Sequence, residues 1–351
     1  MVHEKVDIKA LNLEELTEYI LSLGEKGFRA KQIYQWLHIK QVSDFSEMTN
    51  LPKSLITALQ EQCTLTDLKI EAVQISQQDG TRKYLFSLSD GNVIESVLMR
   101  YKHGNSVCIS SQVGCRMGCR FCASTLDGLV RGLAASEMLD QIYRIGRDTG
   151  ERVSNVVVMG TGEPLDNYDN LLKFIELLTD ENGLHISQRN LTVSTCGIVP
   201  KMRELAEKKL QITLALSLHA SSQEKRKELM PVANRYEIHE VIDACRYYFE
   251  QTGRRVSFEY SLVAGINDGD EDAVKLANLV KGMNCHINLI PVNPIKERDF
   301  KQPDTRAVTE FKNKLEKYGI NCTIRREMGR DIDGACGQLR KRYIGRESKS
   351  V

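Results

Sequence analysis

Cys115, Cys119 and Cys122 fall within eight residues, in the stretch GCRMGCRFCAST from Gly114 to Thr125, a C-x3-C-x2-C pattern. Thiolates are soft ligands, and three this close can grip a metal centre. A closed structural site takes four ligands, so three leave one position open, and an open position is where chemistry can happen. On chemistry alone three readings stand: an iron–sulfur cluster, a zinc site completed from elsewhere, or cysteines gathered for packing. Zinc sites commonly add a second C-x2-C pair roughly 12 to 20 residues away, whereas the next cysteine here is Cys196. A packing role suits the loop poorly, because Gly114, Arg116, Gly118 and Arg120 make a poor core.

The chain that must hold this loop has 351 residues, 41% hydrophobic and 27% charged, which fits a soluble globular enzyme of one large domain with attachments or of two domains. A net charge of +1 announces no nucleic-acid partner in bulk. The distribution says more: 10 Lys+Arg against 14 Asp+Glu up to Glu95, and 8 against 4 from Asn321 to Val351. A basic C-terminal stretch can meet phosphates, or can simply be a solvated end. The start, MVHEKVDIKALNLEEL, lacks the apolar core of a signal peptide, and no run of 18 apolar residues could span a membrane. A cytoplasmic location is therefore expected. There the ten cysteines are thiols, metal ligands or catalytic groups rather than structural disulfides.

Helical spacing of Leu13, Leu16, Ile20 and Leu23, then FRAKQIYQWLHIKQ, then a helix opened by Pro52, predicts a helical module up to about Gln62. Strands follow, Lys83 to Leu88 and Asn92 to Met99, joined by the turn signal Ser89-Asp90-Gly91. Val107 to Ser110 is a further short strand. Beyond the cysteines, short β-branched strands alternate with amphipathic helices, six strands between Val153 and Arg325. Repeated βα units imply a parallel sheet, open or rolled, with the loops after its strands gathered at one edge. Those loops are polar: GTGEPLDN, STCG, SLHA and PVNP.

The C-x3-C-x2-C pattern with Phe121 before its last cysteine resembles the radical S-adenosylmethionine (SAM) superfamily. There, three thiolates hold a [4Fe–4S] cluster whose fourth iron binds SAM, and electron transfer splits SAM to a 5′-deoxyadenosyl radical. SSQVGC, GTGEPLDNYDN, SLHA, LIPVNP and DIDGACGQL, in that order, are together similar to the bacterial rRNA/tRNA adenine-C2 methyltransferases, over about two thirds of the chain or more. The resemblance implies an α/β fold, a partial (β/α)6 radical-SAM barrel with a small helical N-terminal accessory domain. The expected division is 1–95 (helical module, then strands), 96–325 (core) and 326–351 (C-terminal loop and tail).

The resemblance also implies roles. Cys115, Cys119 and Cys122 would hold the cluster. Gly162, Glu163, Ser194, Ser217, Leu218, His219 and Asn293 would bind SAM, with Glu163 accepting from its ammonium and Gly162 permitting close approach. Adenine C2 is electron-poor and cannot attack the methyl of SAM, so the family uses a radical. One SAM would methylate Cys336; a second, cut at the cluster, would take hydrogen from that S-methyl; the carbon radical would add to C2. Glu95 would remove the C2 proton, its pKa raised by an apolar site. Cys108 would release the product by forming a disulfide with Cys336. Cys63, Cys196, Cys245, Cys285 and Cys322 are expected to pack. Thr161 departs from the Met common in the family. Expected partners are 23S rRNA at the peptidyl-transferase centre, tRNA next to the anticodon and an external flavodoxin-like electron donor, with no membrane; a monomer is expected. A sister family methylates adenine C8 through the same cysteines, and a zinc-stabilised RNA-binding protein is the non-enzymatic alternative.

Overall fold

The computed structural model describes residues 5–293, 299–332 and 337–347, with backbone alone for residues 341 and 344–347. The N-terminal segment is helical: β1 (Val6–Asp7), α1 (Leu13–Ser22), α2 (Phe28–His38), α3 (Lys53–Gln62) and β2 (Cys63–Thr64), which pairs with β1. Asn12 starts α1 with a reciprocal cap: its side chain accepts from the Glu15 N–H and the Glu15 carboxylate accepts from the Asn12 N–H. The spacing that predicted α1 puts Leu16 and Ile20 on one face, where they are buried with Ala30, Ile33, Tyr34 and Leu37 of α2.

An antiparallel run follows: β3 (Lys69–Ile75), β4 (Arg82–Ser87), β5 (Val93–Tyr101) and β6 (Gly104–Ile109). Gly91 turns the chain between β4 and β5 at φ +80°, a conformation that favours glycine. A two-stranded hairpin, β7 (Gln112–Gly114) with β8 (Leu129–Gly132), then brackets the cysteine loop. The βα units come next: α4 (Ala135–Thr149), β9 (Val153–Val158), α5 (Tyr168–Thr179), β10 (Leu191–Thr195), α6 (Val199–Glu207), β11 (Thr213–Ser217), α7 (Gln223–Leu229), α8 (Ile238–Thr252), β12 (Val256–Leu262), α9 (Asp270–Leu279), β13 (Cys285–Pro291), α10 (Thr305–Lys317) and β14 (Cys322–Ile324). The chain's described part ends in α11 (Gln338–Glu347).

One ten-stranded sheet runs β14-β13-β12-β11-β10-β9-β6-β5-β4-β3. It is parallel from β6 to β14, so each step needs a crossover, and α4, α5, α6, α8, α9 and α10 supply six. This is the expected (β/α)6 arrangement. Its terminal strands β3 and β14 are not paired with each other, so the barrel stays open. Three features differ from the sequence reading. The division at residue 95 falls inside β5, and β3–β5 continue the main sheet instead of belonging to a separate unit. The C-terminal stretch contains helix α11. A short helix, α7, stands between β11 and α8 and packs beneath the cysteine loop.

The helical module is fastened to α4 and α5 by buried polar contacts. Lys9 Nζ donates to Asp140 Oδ1 at 2.7 Å with both side chains 3% exposed or less, and also to the Thr66 carbonyl. The other Asp140 oxygen accepts the Leu68 N–H at 2.7 Å. Tyr34 donates to Asp180 at 2.7 Å, and His38 shares a hydrogen bond with Tyr143 at 2.8 Å. Removing one member of a buried pair strands the other charge. Lys9→Met is therefore expected to lower unfolding stability by about 3 to 5 kcal/mol, read as an earlier urea midpoint by circular dichroism.

Candidate functional site

Hairpin β7–β8 sets the cysteine loop. Gly114 has φ +75°, and a Cβ there would lie 2.0 Å from the Gly128 carbonyl oxygen, the acceptor of the Cys115 N–H at 2.8 Å. No other residue fits. At the loop's far side the Arg120 N–H donates to the Leu229 carbonyl of α7 at 2.9 Å, and a Cβ on Gly118 would meet Pro231 at 3.3 Å. Thr125 Oγ1 donates to the carbonyls of Cys119 and Cys122 at 3.1 and 3.0 Å. The loop is thus pinned at both ends and tied within itself.

The three thiols line one cavity of about 270 Å³ at the C-terminal ends of the parallel strands. Each lies near enough to another to oppose its ionisation. Burial, and then the neighbouring Cys122 sulfur, pushes Cys115 up to about 12, with the Met117 N–H acting the other way. Cys119 is raised further by burial and by both other cysteines. Such thiols lose their protons only to a strongly bound metal.

The opposite wall carries Gly162, Glu163, Ser194, Ser217, His219 and Asn293, brought from four different strand ends. Glu163 is buried, and burial raises its pKa. Its oxygens accept the Leu165 N–H at 3.1 Å and the Cys196 N–H at 2.7 Å, while its own N–H donates to Gln112 at 2.9 Å. Gly162, at φ +112°, makes its close approach to the chain itself: a Cβ would stand 2.7 Å from Gln112 Cβ and from Ser111 Oγ. Ser194 and Ser217 face each other at 3.4 Å. His219 Nδ1 accepts the Ser261 N–H at 2.9 Å, so its neutral ring carries the proton on Nε2. Its ring meets Phe121 of the cysteine loop edge-to-face at 4.6 Å.

Leu218 does not join this wall. It is fully buried in the main core, and its N–H donates to the Glu259 carbonyl at 3.0 Å. Cys196 packs as expected, against Cys119, Leu229 and Met230, and in addition lines the cavity and presents its N–H to Glu163. Glu259 and Ser261 line it as well, a mid-strand carboxylate being the one signal that could have flagged them. Burial raises Glu259, and Asn288 donates to it at 2.8 Å.

A second, larger cavity, about 830 Å³, adjoins the first and shares Met159, Ile290, Asn293 and Arg325 with it. Cys108, on β6, lines this second cavity, along with Arg326, Arg330 and Gln338. Glu95 is buried, but its surroundings are polar rather than apolar. Lys83 Nζ, fully buried, lies 3.0 Å from Oε2, which also accepts the Gly337 N–H at 2.7 Å; Oε1 accepts the Arg340 N–H at 2.5 Å. Glu95 therefore caps the start of α11. Cys336 lies outside the described residues.

Soft thiols on one wall and carboxylate, hydroxyl and neutral imidazole groups on the other fit a thiolate-bound iron–sulfur cluster with an amino-acid-bearing nucleoside beside it. Together with the open (β/α)6 sheet, this defines a radical SAM enzyme, with a [4Fe–4S] cluster and SAM as cofactors. Residues 109–277 match the radical SAM superfamily, and residues 6–65 match the ribosomal RNA large subunit methyltransferase N-terminal domain. "Probable dual-specificity RNA methyltransferase RlmN" of Lachnospira eligens is 69% identical, covering 96% of this chain and 97% of its own. The same-named protein of Lachnoclostridium phytofermentans is 64% identical, over 97% and 96%. A crystal structure of a radical SAM methyltransferase from Sphaerobacter thermophilus superposes with a TM-score of 0.91 at 42% identity, covering 95% of this chain and 98% of that one. The chain belongs to the dual-specificity RNA methyltransferase RlmN family. No described helix is long and apolar enough to cross a membrane.

Burial lowers His219 from 6.5 to about 3, and does the same to His38. Unfolded, both would take protons near pH 6.5. Between pH 6.5 and 3 the unfolded chain therefore binds more protons, and stability falls as pH drops through that window. His219→Gln is expected to flatten this slope, with His38 and His286 retaining part of it, in urea midpoints measured from pH 7 to pH 4.

Proposed function

We propose that this protein methylates C2 of adenine in 23S rRNA at the peptidyl-transferase centre, and in tRNA next to the anticodon. The observation that carries the reading is the pair of adjoining cavities, one ringed by Cys115, Cys119 and Cys122, the other reached by Cys108, with Met159, Ile290, Asn293 and Arg325 between them. A reaction that makes a radical in one place and uses it on a base in another needs such a pair. The RNA-directed names of the relatives and the ribosomal RNA methyltransferase N-terminal domain support RNA as substrate.

Cys115, Cys119 and Cys122 hold the cluster. Bound with SAM, the cluster supplies a 5′-deoxyadenosyl radical. Glu163, Ser194, Ser217, His219 and Asn293 hold SAM, and Gly162 lets the loop bearing Glu163 lie against the cysteine hairpin. Cys336 carries the methyl group, received from a first SAM. A hydrogen atom passes from that S-methyl to the 5′-deoxyadenosyl radical, giving 5′-deoxyadenosine and leaving a carbon radical on Cys336, which adds to C2. Glu95 takes the C2 proton; Gly337, next in sequence to Cys336, already donates to it. The Cys108 thiolate then attacks the Cys336 sulfur, breaking its bond to the transferred carbon, which takes a proton to become the methyl group; the remaining unpaired electron passes to a one-electron acceptor, and external thiols reduce the Cys108–Cys336 disulfide. The helical module and the basic residues near the C-terminus hold RNA. Residues 96–325 form the radical SAM core, with β3–β5 continuing its sheet, and the segment from residue 326 onward carries Cys336. The protein works as a monomer in the cytoplasm with a flavodoxin-like donor.

Nucleoside mass spectrometry of treated 23S rRNA tests the position. 2-Methyladenosine is expected; 8-methyladenosine would assign the chain to C8 chemistry. Cys336→Ala should abolish product while leaving iron content unchanged. Cys108→Ala should leave RNA covalently attached to protein, visible as a retarded band on a denaturing gel. Product formed by Cys336→Ala at the wild-type rate would sink the mechanism.

A further inference from the structure

Arg226 is fully buried, on α7, and belongs to none of the roles above. Its Nη2 donates to the Cys196 carbonyl at 2.6 Å. Among the described residues its Nε and Nη1 have no hydrogen-bond partner, and no carboxylate lies within ion-pair distance of it. An isolated buried guanidinium is costly, and a chain keeps one only where some negative charge offsets it. The negative charges that would favour its own are thiolates, Cys196 first, then Cys119 of the cysteine loop and Cys245 of α8. Buried thiols are neutral until a metal displaces their protons. The position is specific. One turn beyond Arg226 the Leu229 carbonyl takes the Arg120 N–H of the cysteine loop, and Leu229 and Met230 pack on Cys119. A Cβ on Gly197 would come within 3.1 Å of Nη2 and 3.0 Å of Val241, so the guanidinium lies in space that only glycine at 197 leaves open.

We infer that Arg226 is the fixed counter-charge of the iron–sulfur cluster, a positioning residue whose guanidinium offsets the thiolates of the Cys115–Cys122 loop and sets how readily the cluster is reduced. A cluster gripped by three thiolates is anionic, and taking one electron from a low-potential one-electron donor adds a further negative charge. A buried cation beside it favours the reduced form, raising the midpoint potential, as charge and hydrogen bonding near cluster sulfurs do in general. The same cation has nothing to offset it before iron is loaded. The inference rests on the cluster and not on the choice of C2, Cys336 or RNA.

Two measurements on Arg226→Met and Arg226→Lys test it. The full-length proteins are first melted without iron, then loaded with iron and sulfide and titrated with dithionite while electron paramagnetic resonance follows the reduced cluster. Iron-free R226M is expected to melt at or above the wild-type temperature, because an uncompensated charge is gone. Its loaded cluster should be reduced only at a lower potential, and R226K should restore most of the difference. An unchanged potential in R226M overturns the inference, as does an equal shift in R226M and R226K. Failure of iron-free R226M to fold overturns it too, since the guanidinium would then serve the fold and not the cluster.

Discussion

The site depends on one buried carboxylate. Parallel strands end with unpaired backbone N–H and C=O groups, and an enzyme that opens a cavity there must satisfy them without filling it. Glu163 does this at the junction of three segments. Its carboxylate takes N–H groups from its own turn and from Cys196 after β10, while its backbone N–H reaches Gln112 on the hairpin that carries the cysteine loop. Each oxygen has a further lone pair, so the group that ties the strand ends can still accept from a ligand. The absent side chain at Gly162 is part of the same joint, because any Cβ would push the hairpin away by colliding with Ser111 and Gln112.

Much of the layout was legible in the sequence because periodicity is local. Alternating β-branched runs and amphipathic stretches placed α4, α10 and the parallel strands to within a residue or two, and polar loops after the strands marked the cavity edge. What stayed hidden depends on long-range placement. Glu95 in mid-strand could face solvent or core, and nothing nearby in sequence reveals that Lys83 on the neighbouring strand and α11, some 242 residues on at Gly337, would surround it. Leu218 sits between two cavity residues, yet its side chain turns into the core, while His219 beside it adopts φ +54° and turns to the cavity. Cys196 resembled any other small core residue until the fold brought it to Glu163. Helix α7 was missed because seven charged-rich residues, QEKRKEL, carry almost no apolar stripe.

The N-terminal module shows how specificity of docking can be built from costly groups. Lys9 and Asp140 are charges removed from water, a poor way to gain stability alone. Their worth lies in uniqueness. Lys9 reaches both Asp140 and the Thr66 carbonyl, and Asp140 holds the Leu68 N–H, so the module, the linker into β3 and α4 are fixed by one cluster.

The two cavities pose a different constraint. In the reaction proposed above, a carbon radical would have to reach its target without meeting water or stray hydrogen donors, which favours a short, walled route over an open groove. Met159, Ile290, Asn293 and Arg325 form a wall common to both spaces, mostly from the ends of β9, β13 and β14. β13 and β14 are parallel neighbours and β9 lies in the same sheet beyond β12, β11 and β10, so their spacing is set by the backbone hydrogen bonds of the intervening parallel strands. Glu95 adds the second fixed point. Its carboxylate, held by Lys83, takes N–H groups from Gly337 and Arg340 at the start of α11, so the chain just beyond Cys336 is tethered to the central sheet. Rigid strands thus fix the cavities, and the Glu95 contacts fix the start of α11 against the same sheet.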